Sequence, residues 1–277
     1  MFAIIWMLGA LASFCLMAVG ARELSGAIST FEVLFFRSLI GLFVVVALLI
    51  ISKKTAALTS QKLGKHIFRN LFHFAGQYGW FIGIGLLPFA EVFALEFTVS
   101  IWTLIIAILY LKETLTARKV IALILGLLGV VVIVRPGYEI IDIASFVMLG
   151  SALCFAIAHT TTKSLASTEK PMTILFYMCI VQLPIGLIFA LFEWQWPTLF
   201  QWGWITAIGL AALTAHFCMA KAMQHAEVTT VITLDFLRLP LIALVGVLFY
   251  GEALELALLL GGSIMLASNL VSLYKRV

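Results

Sequence analysis

Five charged side chains stand inside long apolar stretches of the sequence: Glu32, Arg37, Glu96, Asp235 and Arg238. A charge that is removed from water costs free energy unless it is paired or hydrogen-bonded. Carboxylates and guanidinium groups in such places can neutralise one another, bind the opposite charges of a ligand, or exchange protons. The two central acids therefore have two interpretations, as structural ion pairs or as part of a site for a charged small molecule.

Spacing along a helix separates the pairs that these charges can form. Asp235 and Arg238 share one helical face, so we expect an ion pair between them. Glu32 and Arg37 are about 140° apart around a helix and are not expected to pair. Arg37 then needs another partner, for which Glu96 is the candidate. Glu32 lies near the end of its apolar stretch, where we expect it at an interface with water.

Polar and aromatic side chains in the same stretches extend the candidate site. His73 and Gln77 share a helical face, which either lines a cavity or hydrogen-bonds to a neighbouring helix. Trp102 is a candidate to stack on a ligand, with core packing as the alternative. Two further histidines, His159 and His216, lie near predicted helix ends and are expected to be structural. The same stretch as His73 carries three glycines on one face, where another helix can approach closely: Gly76, Gly79 and Gly83.

The predicted substrate-binding residues combine these charged, polar and aromatic side chains. They are Arg37, His73, Gln77, Glu96, Trp102, Asp235 and Arg238. No catalytic residue is predicted. The four cysteines lie in apolar runs without a CxxC pair, so they indicate neither a metal site nor a disulfide framework. No cofactor is indicated.

Composition shows which solvent surrounds these stretches. The chain has 277 residues, of which 64% are hydrophobic and 11% are charged. A soluble domain carries roughly 25% charged residues, so this chain needs lipid around its surplus apolar surface. The net charge of +4 does not indicate nucleic-acid binding, because the Lys and Arg residues lie mainly in loops between apolar runs.

Ten apolar runs account for most of the sequence. A helix that crosses a hydrocarbon layer of roughly 30 Å needs about 20 such residues. The first run is interpreted as a membrane helix and not as a signal peptide, because no positive side chain precedes Arg22. The runs are 2–20, 31–51, 67–87, 89–111, 118–134, 143–163, 172–192, 200–220, 227–250 and 254–273. We therefore predict an all-α membrane protein with ten transmembrane helices.

The positive residues at the helix ends and in the loops predict an orientation. With the N-terminus in the cytoplasm, thirteen Lys and Arg residues, Arg69 among them, fall on the cytoplasmic side and only Arg22 and Arg135 on the other. Ten helices then return the C-terminus to the cytoplasm. The predicted location is a cell membrane that the chain crosses many times, the inner membrane if the source is bacterial.

Short sequence matches recur between the two halves of the chain. Leu95-Glu96-Phe97 recurs 139 positions later as Leu234-Asp235-Phe236, and Met7-Leu8-Gly9 recurs 141 positions later as Met148-Leu149-Gly150. Several matches in the same order indicate an internal repeat. The predicted units are five-helix repeats over residues 1–139 and 140–277. An odd number of helices inverts the second repeat in the membrane, as in secondary transporters with a site near the midplane.

The two acids of the repeat approach the midplane from opposite sides. Glu96 lies roughly 12 Å from one helix end and Asp235 roughly 12 Å from the opposite end, at 1.5 Å per residue. Pro240 stands in the middle of its run, where it removes a backbone donor and frees the carbonyl of Phe236. An interruption beside paired charges indicates the wall of a cavity.

These motifs resemble the EamA-type branch of the drug/metabolite transporter superfamily. The resemblance rests on the segments 31–38, 87–91, 234–240 and 250–252 and covers essentially the whole chain. The segments around Arg37 and Arg238 look most like carriers described as S-adenosylmethionine uptake transporters. Members of the branch often have proline in the middle of helix 4. Here Ile101 stands at the position that matches Pro240, so this helix is expected to be straighter.

The leading functional interpretation is a secondary carrier and not an enzyme. It would carry a small polar or zwitterionic metabolite, of the amino acid or S-adenosylmethionine class, by alternating access, with proton coupling or exchange. The expected partners are that substrate and the lipid bilayer, and a homodimer is left open. One alternative, an intramembrane enzyme acting on a lipid or peptide, finds no HExxH or GxSxG motif. The other, a metabolite channel, fits poorly with charges of both signs.

Overall fold

The computed structural model describes residues 2–134, 143–235, 237–251 and 256–273. The predicted boundary between the repeats, at 139/140, and the carbonyl of Phe236 lie outside these ranges. Within them the chain forms twelve α-helices and no strand. The helices are α1 (Phe2–Leu24), α2 (Thr30–Ile51), α3 (Leu63–Leu86), α4 (Phe89–Glu96), α5 (Val99–Ile106), α6 (Ala117–Val134), α7 (Ile143–Ala166), α8 (Pro171–Ala190), α9 (Leu199–His225), α10 (Val228–Asp235), α11 (Arg238–Tyr250) and α12 (Leu256–Leu273).

These helices correspond to the ten predicted stretches, because α4 with α5 and α10 with α11 each form one stretch with an interruption. A π-helical turn, Ala107–Leu111, continues α5. Six stretches in the described ranges are long and apolar enough to cross a membrane: α1, α2, α7, α8, α9 and Val228–Tyr250. The predicted all-α membrane fold is confirmed.

Both interruptions lie next to a buried acid. α4 ends at Glu96 and α5 begins at Val99, while α10 ends at Asp235 and α11 begins at Arg238. The two acids thus stand at the C-terminal ends of short helices, at matching places in the predicted repeats. Their side chains project from irregular backbone in the interior of the bundle, as expected for a cavity wall.

The interruption between α4 and α5 corrects the expectation that Ile101 would leave this helix straighter. The turn forms without proline, because the amide of Thr98 donates to the Leu95 carbonyl at 3.1 Å. The Thr98 hydroxyl donates to the same carbonyl at 2.7 Å. In the second half, the amide of Leu237 donates to the Leu234 carbonyl at 3.2 Å. Hydrogen bonds of this three-residue span tighten a helical turn.

The main helix contacts follow a symmetric pattern. α1 packs along α9, α3 along α7, α2 along α8, and α6 along α12. When each stretch of the first half is matched with the stretch five places later, the α1–α9 contact becomes the α3–α7 contact. The α2–α8 and α6–α12 contacts each map onto themselves. A pseudo-twofold axis that relates the two sets of five stretches would produce this pattern, while the division at residue 139 stays a prediction.

The glycine face of α3 packs against α7, as predicted. A Cβ on Gly79 would lie 3.2 Å from the Ser151 side chain, and one on Gly83 would overlap Met148. The Ser151 hydroxyl donates to the Gly76 carbonyl, and a Cβ on Gly76 would lie 3.2 Å from the Ser151 carbonyl oxygen, so the two backbones lie close together. This close approach fixes the rotation of α3 and therefore the direction of its polar side chains.

The connections gather at two ends of the bundle. At the first, which we call the Arg22 end, Arg22 donates to the Leu87 carbonyl at 2.8 Å. At the second, the Lys163 end, Lys163 donates to the carbonyls of Met223 and Ala226, both at 2.7 Å. Side-chain contacts thus close the bundle at both ends.

Candidate functional site

A cavity of about 20 Å³ lies in the interior, where the two interrupted stretches meet α1, α3, α7 and α9. That volume is roughly the room for one water molecule. Its lining is Phe14, Met17, His73, Gln77, Trp80, Glu96, Phe155, His159, His216, Met219, Asp235 and Arg238. Five of the seven predicted site residues are in this lining, and the other two, Arg37 and Trp102, are not.

Arg238 holds both acids of the cavity. Its Nη2 donates to Glu96 and, at 2.9 Å, to Oδ2 of Asp235. The predicted pair within one helix is confirmed. The predicted pairing of Arg37 with Glu96 is wrong, because Glu96 is occupied by Arg238 and by the indole of Trp80, which donates to it at 2.8 Å. One guanidinium faces two carboxylates, so the cluster carries a net charge of −1 when both acids are ionised.

Aromatic rings screen this cluster from its surroundings. The guanidinium of Arg238 lies 4.9 Å from the ring centre of Phe14 and 5.0 Å from that of Phe93. Such contacts stabilise a desolvated cation. One oxygen of the cluster, Oδ1 of Asp235, is buried and has no hydrogen-bond partner in the described part of the chain. The cluster therefore presents one free acceptor to a ligand.

Arg37 lies behind the cavity wall. Its Nη2 donates to Oε1 of Gln77 and to Oε1 of Gln182, both at 2.8 Å. The residue is buried, and among the described residues no ion pair joins it to a carboxylate. The sequence placed Arg37 in the site itself, whereas the structure places it outside the cavity lining, bonded to Gln77, which is part of that lining. Its helical neighbours gave no sign of this, since Gln182 is on α8.

Three histidines line the cavity, where the sequence had predicted one. The ring of His216 meets that of His73 edge-on, with centroids 4.6 Å apart, and His159 stacks on Phe155 at 6.0 Å. The expectation of purely structural roles for His159 and His216 rested on predicted helix ends at 163 and 220. α7 and α9 extend to Ala166 and His225, so both histidines lie deeper. Each of these two histidines is a polar residue within an apolar run, and that pattern could have marked it as a candidate for the cavity lining.

Two other residues that the sequence singled out lie outside the cavity lining. Trp102 is 39% exposed and lies outside the cavity lining. It lies on α5, beyond the interruption that follows Glu96. Glu32 lies in the first turn of α2 and is fully buried, and its Oε2 accepts the amide of Gln195 at 3.2 Å. The loop before α9 covers it.

Arg69 was counted with the positive residues of the cytoplasmic side, and it is also buried. Its Nε donates to the Thr162 hydroxyl at 3.0 Å, and its Nη1 donates to Oδ1 of Asn70 at 2.6 Å. α3 begins at Leu63, four residues earlier than predicted, so this residue lies inside the helix. Its charge therefore belongs to the interior of the bundle.

Comparison with known proteins agrees with a transporter. The chain is 25% identical to the S-adenosylmethionine uptake transporter of Rickettsia bellii, over 97% of this chain and 92% of that protein. It is 28% identical to the riboflavin transporter of Vibrio cholerae, over 76% and 72% of the two chains. It is also 25% identical to the pseudopaline exporter CntI of Pseudomonas aeruginosa, over 95% and 93%. These names describe transporters and not enzymes.

A solved crystal structure shares the fold. It superposes with a TM-score of 0.81 at 16% identity, covering 98% of this chain and 96% of the other. The sequence model of the EamA-like transporter family matches residues 1–135 and again residues 142–274. Together with the apolar helices, this makes the protein a multi-pass membrane protein. The chain belongs to the EamA-like transporter family.

Proposed function

We propose that the chain is a secondary transporter of a small zwitterionic metabolite, of the amino acid or S-adenosylmethionine class, and that it works by alternating access. The observation that carries this proposal is the buried cluster of Glu96, Asp235 and Arg238 at two interrupted helices. Its surplus carboxylate matches an ammonium or sulfonium group. The names of the Rickettsia relatives support this substrate class. Since relatives are named both as uptake transporters and as an exporter, they leave the direction of transport open.

The small volume of the cavity supports alternating access. An amino acid is far larger than the single water that about 20 Å³ can hold, so this conformation excludes the substrate. Binding then requires the bundle to open at one end. The predicted orientation places the Lys163 end in the cytoplasm and the Arg22 end outside.

Corresponding contacts close the two ends. Arg22 and Lys163 are 141 positions apart, and the carbonyls that they bind, those of Leu87 and Ala226, are 139 positions apart. These are the two offsets of the internal repeat. One device, used once within each half of the chain, fits a carrier that opens its ends in turn, because releasing one of the contacts frees only the end that it closes.

Replacing Lys163 with methionine is expected to favour opening at the Lys163 end. The change removes both hydrogen bonds, to the last turn of α9 and to Ala226 just after it, and keeps the apolar stem. The reporter is a cysteine at the cavity position Met219, in a chain whose four native cysteines are replaced by alanine. We expect its labelling by a membrane-impermeant maleimide from that end to accelerate about tenfold, as a loss of about 1.4 kcal/mol implies.

The control for this experiment is Lys65→Met at the same end. Lys65 is exposed. Its Nζ donates to the Ser164 hydroxyl at 3.2 Å and lies 6.0 Å from the ring centre of Tyr110. Its replacement should leave the labelling rate unchanged. Equal rates in both variants would show that Lys163 does not close the bundle.

The proposed function itself is tested with purified protein in detergent and in proteoliposomes. A screen of amino acids, nucleosides, S-adenosylmethionine and organic cations should find zwitterions that raise the melting temperature, because a ligand at 100 times its Kd stabilises by about 2.7 kcal/mol. The same compounds should show counterflow, which an open channel does not support. Stabilisation by neutral nucleosides alone, or flux without counterflow, would refute the proposal.

A further inference from the structure

A chain of hydrogen bonds behind one wall of the cavity determines which atoms of that wall can donate. A guanidinium group has donors and no acceptor, so any amide that bonds to it must present its oxygen. Arg37 therefore holds Oε1 of both Gln77 and Gln182 towards itself. The NH₂ groups of the two amides must then point away from Arg37. Their orientations follow from the chemistry of the arginine.

The orientation of Gln182 determines the tautomer of His73. The Nε2 of Gln182 lies 2.8 Å from Nδ1 of His73, and because this amide nitrogen can only donate, Nδ1 must accept. The ring is then neutral and carries its proton on Nε2. A second acceptor, Oδ1 of Asn70, lies 3.3 Å from the same amide and is itself fixed by a bond from Arg69. Two buried arginines, Arg37 and Arg69, thus determine how the amides around His73 are oriented.

Two donors result from this arrangement, and both are unused. The Nε2 of His73 and the Nε2 of Gln77 are buried and find no partner in the ranges that the structure describes. Both residues line the cavity, and their exposed fractions are 0% and 2%. Buried donors are nearly always hydrogen-bonded in proteins, so an unpaired pair that faces a cavity indicates a ligand that supplies an acceptor.

We infer that His73 and Gln77 form a carboxylate-binding subsite, in which Arg37 is a positioning residue. This rests on the proposed function and names the part of the substrate that each wall binds. A carboxylate accepts two N–H donors, and the nearby positive charge of Arg37, without a carboxylate partner in the described residues, favours an anion there. The acids around Arg238 repel a carboxylate and attract a cation. The free Oδ1 of Asp235 therefore receives the ammonium or sulfonium group of the substrate.

The discriminating ligands are pairs that differ only in the carboxylate. The probes are S-adenosylmethionine with its decarboxylated form, and methionine with methioninol. Wild-type protein should bind the member with the carboxylate at least about tenfold more tightly, as expected for charge-assisted hydrogen bonds. In His73→Leu and Gln77→Leu this ratio should fall towards one, while the affinity for the carboxylate-free member stays the same.

Two further variants separate donation from general structure. His73→Gln offers an amide N–H near the position of Nε2 and should recover part of the ratio. Arg37→Met should lower the ratio although it touches no ligand. Arg37→Lys should recover little because the lysine ammonium ends one bond short of Nη2, the atom that donates to both amides. The matched control is His66→Leu, on the same helix. His66 is buried, stacks on Tyr177 and does not line the cavity. In His66→Leu the ratio of the two affinities should therefore remain that of the wild type.

The outcomes distinguish this inference from the proposed function. If wild-type protein binds both members of a pair equally, or if His73→Leu weakens both members by the same factor, the subsite is refuted and the transporter proposal stands. If wild-type protein binds none of the four compounds, the proposed substrate class fails and the subsite fails with it. Melting curves of every variant identify any that are misfolded. If one of His73→Leu and Gln77→Leu is misfolded, the other decides whether the subsite exists.

Discussion

Arg238→Met is expected to abolish transport and to lower the free energy of unfolding by about 3–5 kcal/mol, since removing one partner of a buried ion pair leaves an uncompensated charge. The loss is large here because one guanidinium serves two carboxylates, those of Glu96 and Asp235. Methionine keeps a flexible apolar stem and removes the charge. The measurements are a melting curve in detergent and counterflow in proteoliposomes.

A triple variant separates charge from shape. Arg238→Met combined with Glu96→Gln and Asp235→Asn removes all three charges, and a buried ion cluster can often be replaced by neutral groups with little loss of stability. Most of the lost stability should return, and transport should not. The exposed control Lys54→Met is expected to change stability by no more than about 0.5 kcal/mol. A single variant as stable as wild type, or a triple variant no better than the single one, would contradict this account.

The helical framework could be predicted because each apolar run carries its own signal. Length and hydropathy located all ten stretches, and their ends differ from the structure by a few residues. The interruption between α4 and α5 could not be predicted in the same way. Proline was the expected signal, whereas the structure uses the Thr98 hydroxyl on the Leu95 carbonyl, a local hydrogen bond that many threonines make without interrupting a helix.

Within the site, helical spacing predicted contacts inside one helix and failed between helices. The pair of Asp235 and Arg238 follows from their spacing on one face. The second partner of Arg238 is 142 positions away in Glu96, and that contact depends on how the two repeats pack. Arg37 was given the wrong partner for the same reason. Its buried charge suggested a carboxylate, but two glutamine amides satisfy part of its donor capacity.

The division of labour between the arginines follows from their partners. Arg238 faces ionisable groups, so its environment changes when a proton or a cation enters the cavity. Arg37 and Arg69 face neutral amides and a hydroxyl, which neither gain nor lose protons in the physiological range. The first arginine therefore belongs to the part of the site that can change its charge. The other two hold a fixed frame of donors.

Asp235→Asn is expected to abolish accumulation driven by a proton gradient and to leave counterflow, at a higher substrate concentration because the substrate cation loses this carboxylate. Asp235 is the better coupling candidate of the two acids, because its Oδ1 is free, whereas Glu96 is engaged by Arg238 and by Trp80. A proton and a substrate cation would compete for this carboxylate, since each neutralises it. The site would then carry one or the other, which makes the coupled reaction an exchange.

The direction of this exchange can be measured. Vesicles that are acidic inside should accumulate labelled S-adenosylmethionine from the medium, and vesicles that are acidic outside should not. In Asp235→Asn both gradients should give the same uptake, while counterflow continues. The fold should persist because Arg238 keeps its bond to Glu96 and the asparagine oxygen can still accept from it. Glu96→Gln, which leaves the free carboxylate in place, should keep the response to the gradient. If Asp235→Asn instead lowers the melting temperature and stops counterflow as well, the carboxylate serves structure and the proton must bind elsewhere.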